Sequence, residues 1–188
     1  MRKPLFSSPA LRDSLIFAAC VIGVHLLWKL LLRPVAGSGD AQVLLLSSYN
    51  VTPFFDWWCR WQASVSAWLV HLFEPVVRDG CTLYGGSGPL NRITVVWSCT
   101  GIKQVLMLLP ALLFAHGPWL RKAWYIPAAL SACFLFNCLR IALIAGWSFV
   151  NFDCFPYLHQ GMKYVFYLLL FALWLLWEEK LAYEKPAD

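Results

Sequence analysis

Charged residues are scarce in this sequence. Asp, Glu, Lys and Arg make up 13% of its 188 residues, whereas 60% are hydrophobic. This composition lies outside the range of ordinary soluble domains, so the shortage of charge excludes that class. The formal net charge is +5, but the basic residues are scattered beside apolar runs and form no patch. We therefore expect no nucleic-acid partner and relate the positive charge to membrane orientation.

Metal-binding patterns are also lacking. The seven cysteines and four histidines contain no CxxC pair and no Cys/His spacing of a zinc site, so we expect neither a metal nor another cofactor. Three cysteines lie inside apolar runs and are interpreted as packing residues. The other four lie in or beside loops. A disulfide between two of the following three is possible, and the sequence does not fix which two: Cys59, Cys81 and Cys154.

Long apolar runs dominate the chain instead. They predict an all-α integral membrane protein with about four transmembrane helices, an interfacial amphipathic helix and a short extracytoplasmic β-hairpin. The first run is too long for a typical signal peptide, which favours an uncleaved anchor. The prediction is one membrane domain over residues 1–188, divided into a cytoplasmic N-terminus 1–13, transmembrane helix 14–33, extracytoplasmic linker, interfacial helix and hairpin 34–98, helix 99–116, helix 124–147, extracytoplasmic loop 148–161, helix 162–178 and cytoplasmic tail 179–188.

The segment 53–77 has helical periodicity with tryptophans concentrated on one side. We expect the helix to begin at Thr52–Pro53, with the hydroxyl as its cap and the proline in its first turn. A one-sided tryptophan stripe is typical of a helix lying in the membrane interface, but a crossing helix is the alternative. Further on, a glycine-rich turn at 85–89 and the alternation of Ile93, Val95 and Trp97 predict the hairpin.

The distribution of basic residues orients the chain. If the segment 53–77 does not cross, the N-terminus, the Arg121/Lys122 loop and the tail all lie on the cytoplasmic side, as the positive-inside rule requires. Cys99, Arg140 and His159 then lie toward the outer face. We therefore predict a multi-pass protein of the plasma (inner) membrane whose active site faces outside.

Those three residues are the candidate catalytic groups. Cys99 is predicted to begin a helix, where the helix dipole would lower the pKa of its thiol and favour the nucleophilic thiolate. An arginine inside an apolar span costs about 2.5–3.5 kcal/mol on insertion scales, so Arg140 is expected to have a purpose. Asn137 lies three residues earlier on the same helix face, where both could bind an oxyanion. His159 would transfer protons.

Each candidate also has a structural explanation. Cys99 could be a packing cysteine, and His159 an incidental loop residue. Arg140 could form an ion pair with Glu74 or Asp153, or extend to the interface.

The ordered motifs resemble those of a known family. Ser98-Cys99-Thr100-Gly101-Ile102 opens one span, Asn137-Cys138-Leu139-Arg140-Ile141 lies late in another, and His159 precedes the last. This arrangement is similar to the exosortase/archaeosortase family of integral membrane cysteine transpeptidases, over roughly residues 91–176. Thr100 stands where that family commonly has serine, and the chain is shorter than many members.

The resemblance implies a function. Its substrates would be exported proteins with a C-terminal motif, a transmembrane helix and a basic tail, cleaved through a thioester and passed to a lipid or glycan acceptor at the cell surface. Membrane lipids would be the other partners. Cys99 would be the nucleophile, Arg140 the stabilising cation and His159 the proton carrier, supported by a further four residues: Asn137, Ser98, Thr100 and Gly101.

Two alternatives stay open at this point. One is a non-catalytic membrane assembly or lipid-binding protein that uses Arg140 to hold a headgroup. The other is a hydrolase of the same architecture, which releases its acyl-enzyme to water.

Overall fold

The computed structural model describes residues 9–38, 42–86 and 91–182, and these are mostly helical. The described residues form five α-helices and two antiparallel three-stranded sheets, ordered β1-β2-β3 and β4-β5-β6. Short 3-10 turns cover Trp97–Cys99 and Phe152–Cys154, and a π-helical turn covers Trp177–Leu181. The elements are α1 Pro9–Leu31, β1 Leu32–Pro34, β2 Val43–Leu45, β3 Tyr49–Asn50, α2 Thr52–His71, β4 Val76–Asp79, β5 Thr82–Gly85, β6 Arg92–Thr94, α3 Ile102–Phe114, α4 Trp119–Val150 and α5 Phe155–Leu176.

Three of the described helical segments are long and apolar enough to cross a membrane: Leu11–Leu31, Trp119–Val150 and Phe152–Leu181. Together they support an integral membrane protein. Helix α3 has 13 residues, which gives about 20 Å of helix against a hydrocarbon core of about 30 Å. A fourth crossing at α3 therefore stays a prediction. Helix α2 has 20 residues but is less apolar and is not among the three.

The boundaries of the last two long helices differ from those expected. Helix α4 runs beyond the predicted segment 124–147 at both ends, and α5 begins at Phe155 rather than at 162. The Asn151 side chain accepts a hydrogen bond from the Asp153 N–H at 3.1 Å, which makes the connection a tight turn. Pro156 is compatible with the first turn of a helix, so it does not delay the start of α5. His159 thus lies in the second turn of a helix, not in a loop.

The segment predicted as linker and hairpin, 34–98, contains the second sheet and most of the first, whose strand β1 begins at Leu32 within the predicted transmembrane helix 14–33. The hairpin is a three-stranded sheet, in which β5 pairs with β4 and with β6. Trp97 lies in the 3-10 turn, not on a strand. The central part of the predicted glycine-rich turn, residues 87–89, lies outside the described residues. Strands of two to four residues are too short for alternation to reveal them.

Helix α2 begins at Thr52, as expected, but the Thr52 hydroxyl does not cap it. The N-cap position is Val51, which makes no side-chain cap bond, and the Thr52 N–H donates to the Asn50 side-chain oxygen at 3.0 Å. The Thr52 hydroxyl instead accepts from the Val43 N–H at 3.0 Å and donates to the Val43 carbonyl at 3.3 Å. The capping prediction is therefore wrong, because β2 takes the side chain that would have satisfied the helix.

The chain divides into two compact units. The first contains Met1–Trp28, Ile102–Cys133 and Tyr167–Asp188. In it Lys122, expected in a loop, is 3% exposed within α4. Its ammonium donates to the carbonyls of Leu113 and Ala115. Glu178, the last residue of the predicted helix 162–178, is 7% exposed.

The second unit contains Lys29–Gly101 and Phe134–Phe166, and it holds every candidate site residue. Its core joins small side chains of α2, Leu83 of the sheet and apolar side chains of α4, namely Cys59, Ala63, Val70, Leu83, Val95, Ile141, Ala142, Ala145 and Phe149. Three tryptophans of α2 lie on another face and remain more than half exposed: Trp57, Trp61 and Trp68. This division of faces suits a helix that packs on protein with small residues and meets the membrane interface with aromatic ones.

Candidate active site

The turn that carries Cys99 follows directly from β6. Val95 is buried, and the next residues form the 3-10 turn, in which the Cys99 N–H donates to the Val96 carbonyl at 2.8 Å. The Thr100 hydroxyl closes the turn by donating to the Trp97 carbonyl at 2.8 Å. Gly101 then adopts a φ of 71°, which L-residues other than glycine rarely adopt. Cys99 therefore lies three residues before α3 and is not its first residue.

Side chains from α2 and α4 hold the backbone carbonyls of this turn. The Asn137 amide donates to the Cys99 carbonyl at 2.8 Å and to the Gln62 side-chain oxygen at 3.1 Å. The Gln62 amide in turn donates to the Thr100 carbonyl at 2.7 Å, and the Trp58 indole donates to the same oxygen at 3.2 Å. Gln62 and Asn137 are fully buried. Since buried hydrogen bonds of this kind fix geometry, they set where the Cys99 backbone lies.

Arg140 follows one helical turn after Asn137. Its guanidinium is buried, with the residue only 6% exposed, and its Nη1 donates to the Asn137 side-chain oxygen at 3.2 Å. The Nε atom is also buried and has no hydrogen-bond partner among the residues that the structure describes. Within the same residues, Arg140 makes no ion pair with Glu74 or Asp153. That structural explanation for the arginine is therefore wrong here.

Cys99, Arg140 and His159 line one cavity of about 40 Å³. Its remaining wall is mostly apolar: Ile93, Thr94, Val95, Ile141, Ile144 and Phe155. The His159 ring is half-buried beside the Phe155 ring, with 5.6 Å between their centroids. A volume of this size accommodates about one or two water-sized groups. The three residues predicted to be catalytic thus come together from three separate segments.

The other predicted site residues have supporting positions. The Ser98 side chain is exposed and does not line the cavity. Thr100 and Gly101 shape the turn, since a Cβ at Gly101 would lie 3.2 Å from Asn137 Cγ and 3.2 Å from Phe166 Cε1. Asn137 links the turn to Arg140. Within the described residues, no group of three or more His, Cys, Asp or Glu is placed to hold a metal ion.

Gln62 is the site residue that the sequence analysis missed. It shares the buried face of α2 with Cys59, Ala63 and Ser66, at three- and four-residue spacing. The sequence feature that could have revealed Gln62 is therefore its position as a polar residue within a stripe of small residues, on a different face of α2 from the tryptophans. The tryptophans form the stronger pattern, and that pattern concerns the exposed side of the helix rather than its buried side.

Comparison with known protein families shows to which family the chain belongs. The family profile for transmembrane exosortase (Exosortase_EpsH) matches residues 5–176. The chain belongs to the transmembrane exosortase family. No curated protein and no solved structure is significantly similar to it. The family resemblance inferred from the motifs around Cys99, Arg140 and His159 is thus confirmed, and membership suggests a membrane transpeptidase.

The cavity of this exosortase combines three kinds of chemistry. A thiol supplies a nucleophile, an imidazole can accept and return a proton, and a guanidinium can stabilise a thiolate or an oxyanion. The apolar wall lowers the local dielectric constant, which strengthens the interaction of a buried cation with any negative charge that forms nearby. Such a set is suited to acyl transfer through a covalent intermediate.

Proposed function

We propose that this chain is a cysteine transpeptidase of the plasma membrane that cleaves the C-terminal sorting signal of exported proteins. The cleaved protein would be passed from a thioester on Cys99 to a lipid or glycan acceptor at the cell surface. The observation that carries the proposal is the buried Nε of Arg140. It has no partner among the described residues, and Arg140 lines the same small cavity as Cys99 and His159.

The reaction would proceed in two halves. The Cys99 thiolate attacks the scissile carbonyl carbon, and Arg140 stabilises the oxyanion that develops. His159 gives a proton to the leaving amine as the C–N bond breaks, which leaves a thioester. An acceptor hydroxyl or amine then attacks the thioester, His159 takes its proton, and the Cys99 thiolate leaves. Atoms and charge balance without an external cofactor.

The lining of the cavity favours catalysis over lipid binding. Arg140 shares the cavity with a thiol and an imidazole, which a headgroup site does not require, and the rest of the wall is mostly apolar. A lipid headgroup site would also be expected to place its arginine at the interface. Arg140 instead lies ten residues before the end of α4, or about 15 Å along the helix.

The outward orientation of the site belongs to the same proposal. It is supported by the exposed tryptophans of α2, which suit an interfacial helix rather than a crossing one. With α2 at the interface, the positive-inside rule places the turn that carries Cys99 on the outer side.

The test is cleavage of a candidate substrate with a C-terminal motif, a transmembrane helix and a basic tail. Wild type, Cys99→Ala and Cys154→Ala are expressed with it at matched membrane levels and compared on a gel. Cys154→Ala is the matched control, because it removes a thiol of the same unit that does not line the cavity. We expect cleavage by wild type and Cys154→Ala and none by Cys99→Ala.

The opposite result would overturn the assignment of Cys99 as the nucleophile. If Cys99→Ala cleaves the substrate as well as wild type, Cys99 is not the nucleophile and the transpeptidase proposal is wrong. The lipid-binding alternative would then predict that Arg140→Ala, but not Cys99→Ser, impairs the protein. Where cleavage does depend on Cys99, adding hydroxylamine tests for the thioester, because that intermediate yields the hydroxamate of the new C-terminus. The mass of the product formed without hydroxylamine then separates transfer from hydrolysis, because the new C-terminus carries the acceptor in the first case and is a free carboxylate in the second.

A further inference from the structure

Three thiols of the second unit lie in one neighbourhood, and all seven cysteines of the chain are reduced in the structure. Cys59 is 1% exposed on the buried face of α2, and Cys81 and Cys99 pack against the same core. The Cys81 thiol donates to the Asp56 carbonyl oxygen, at a sulfur–oxygen distance of 3.7 Å, one turn before Cys59. Asp56 lies three residues before Cys59 on α2, so this contact brings the Cys81 sulfur to the part of α2 that carries Cys59.

We propose that Cys59 and Cys81 form a disulfide that joins α2 to the connection between β4 and β5. Cys81 packs against the core that contains Cys59, and its sulfur contacts the α2 backbone three residues before Cys59. Two cysteines can be bridged only where the fold brings them together in this way. The bond would fix the sheet whose last strand, β6, leads into the turn of Cys99. It would also close a loop of 81 − 59 = 22 residues in the unfolded chain.

The oxidant would be a second disulfide, either a small molecule or a thiol–disulfide oxidoreductase. The partly exposed Cys81 attacks it as the thiolate and forms a mixed disulfide, with release of the first thiol of the oxidant. The Cys59 thiolate then displaces the second. One S–S bond is broken and one is formed, two electrons pass to the oxidant, and the two cysteine protons end on its released thiols.

The surroundings of the Cys59 and Cys81 thiols make the rate of disulfide formation depend on pH. Burial raises the pKa of both thiols above the ordinary value, and Asp56 adds to this effect at each of them. Cys99 acts in the same direction on Cys59, whereas Arg60 partly opposes the increase at Cys81. Because the thiolates are then the minor species at neutral pH, the oxidation rate should increase about tenfold from pH 7 to pH 8.

Pairing these two cysteines would also protect the nucleophile, a consequence that rests on the proposed function. Cys59 belongs to the buried core against which Cys99 packs. A reduced Cys59 is therefore a neighbour onto which Cys99 could be oxidised. Once Cys59 is bonded to Cys81, that route is closed and Cys99 stays reduced.

The experiment counts oxidised cysteines in the full-length protein. Protein in mild detergent is reduced, freed of reductant and incubated with oxidised glutathione at pH 7 and pH 8. The protein is denatured, the remaining thiols are blocked, the disulfides are reduced, and the newly released thiols are labelled with a maleimide–polyethylene glycol that shifts the band on a gel. Mass spectrometry of unreduced peptides identifies the partners.

We expect two labels in wild type and in the matched control Cys154→Ser. At most one is expected in Cys59→Ser or Cys81→Ser, because a single remaining thiol can only carry a glutathione adduct. Fewer than two labels in wild type, two in either single variant, or a linked peptide that contains Cys99 would each overturn the proposal. The variant Cys99→Ala should still give two labels, so this result does not depend on whether the enzyme proposal holds.

Discussion

Gln62 offers the sharpest test of how the site is built. Replacing it with methionine keeps a side chain of similar length but removes the amide. The Thr100 carbonyl then loses the 2.7 Å hydrogen bond from Gln62, and the Asn137 amide loses its 3.1 Å bond to the Gln62 oxygen. Thr100 belongs to the Cys99 turn, and Asn137 joins that turn to Arg140, so an effect on cleavage would act through the position of the turn or of Arg140.

The size of the effect follows from the two lost contacts. Each buried hydrogen bond contributes about 1 kcal/mol net, so the two together are worth about 2 kcal/mol. If that amount appears in the activation free energy, kcat falls about 30-fold, since about 1.4 kcal/mol corresponds to a factor of ten. The bond from Trp58 to the same Thr100 carbonyl, at 3.2 Å, remains and limits the loss.

The assay compares steady-state cleavage by purified Gln62→Met with that by Ser66→Ala. Ser66 lies one turn further on the same buried face of α2, and its hydroxyl donates to the Cys138 carbonyl at 3.0 Å. Ser66→Ala thus removes one buried hydrogen bond between α2 and α4 without touching the turn. We expect Gln62→Met to lower kcat with little change in KM, and Ser66→Ala to remain within about threefold of wild type.

Two results would refute this reasoning. A folded Gln62→Met protein with wild-type kcat would mean that the amide network does not position Cys99. Equal losses in Gln62→Met and Ser66→Ala would mean that the packing of α2 on α4 matters, and not the contact with the turn.

Two further substitutions test the groups that Asn137 and the turn hold in place. Arg140→Lys keeps the charge but loses the planar guanidinium and its bond to Asn137, so we expect cleavage to fall roughly 10²-fold at a normal membrane level; a loss of less than threefold would show that charge alone is sufficient. Gly101→Ala places a Cβ 3.2 Å from Asn137 Cγ and 3.2 Å from Phe166 Cε1 at a φ of 71°, and should lower thermal stability and cleavage together. Its control is Gly161→Ala, where a Cβ meets nothing within 4 Å; equal effects of the two alanines would contradict the role of the turn.

The membrane class and the importance of Arg140 could be predicted from the sequence because each has a large energetic signal. An apolar run of about 20 residues has few structural alternatives, and a charge inside one demands an explanation. The distribution of basic residues predicted that Cys99, Arg140 and His159 lie toward the same face of the membrane. In the structure they line one cavity.

The small elements were not accessible, for a physical reason. Strands of two or three residues, such as β3 and β1, are held by pairing with distant partners rather than by their own pattern. The start of α5 depends on the Asn151 turn, and the role of the Thr52 hydroxyl depends on β2 being beside it. Each is a tertiary contact that residue periodicity does not encode.

Asn137 explains why an arginine is tolerated at this depth and why one of its donors stays available. Both hydrogens of the Asn137 amide are used, on the Cys99 carbonyl and the Gln62 oxygen, and its oxygen accepts from Arg140. If the Asn137 amide were flipped, its oxygen would face a carbonyl oxygen and its N–H groups would face the guanidinium of Arg140. Both contacts would be repulsive, so the neighbours fix the orientation of the amide. An aspartate here would repel both acceptor oxygens, and a leucine would leave all these groups unpaired. The same side chain thus ties the backbone of the nucleophile to the cation, and the Nε of Arg140 is left for the group that enters the cavity.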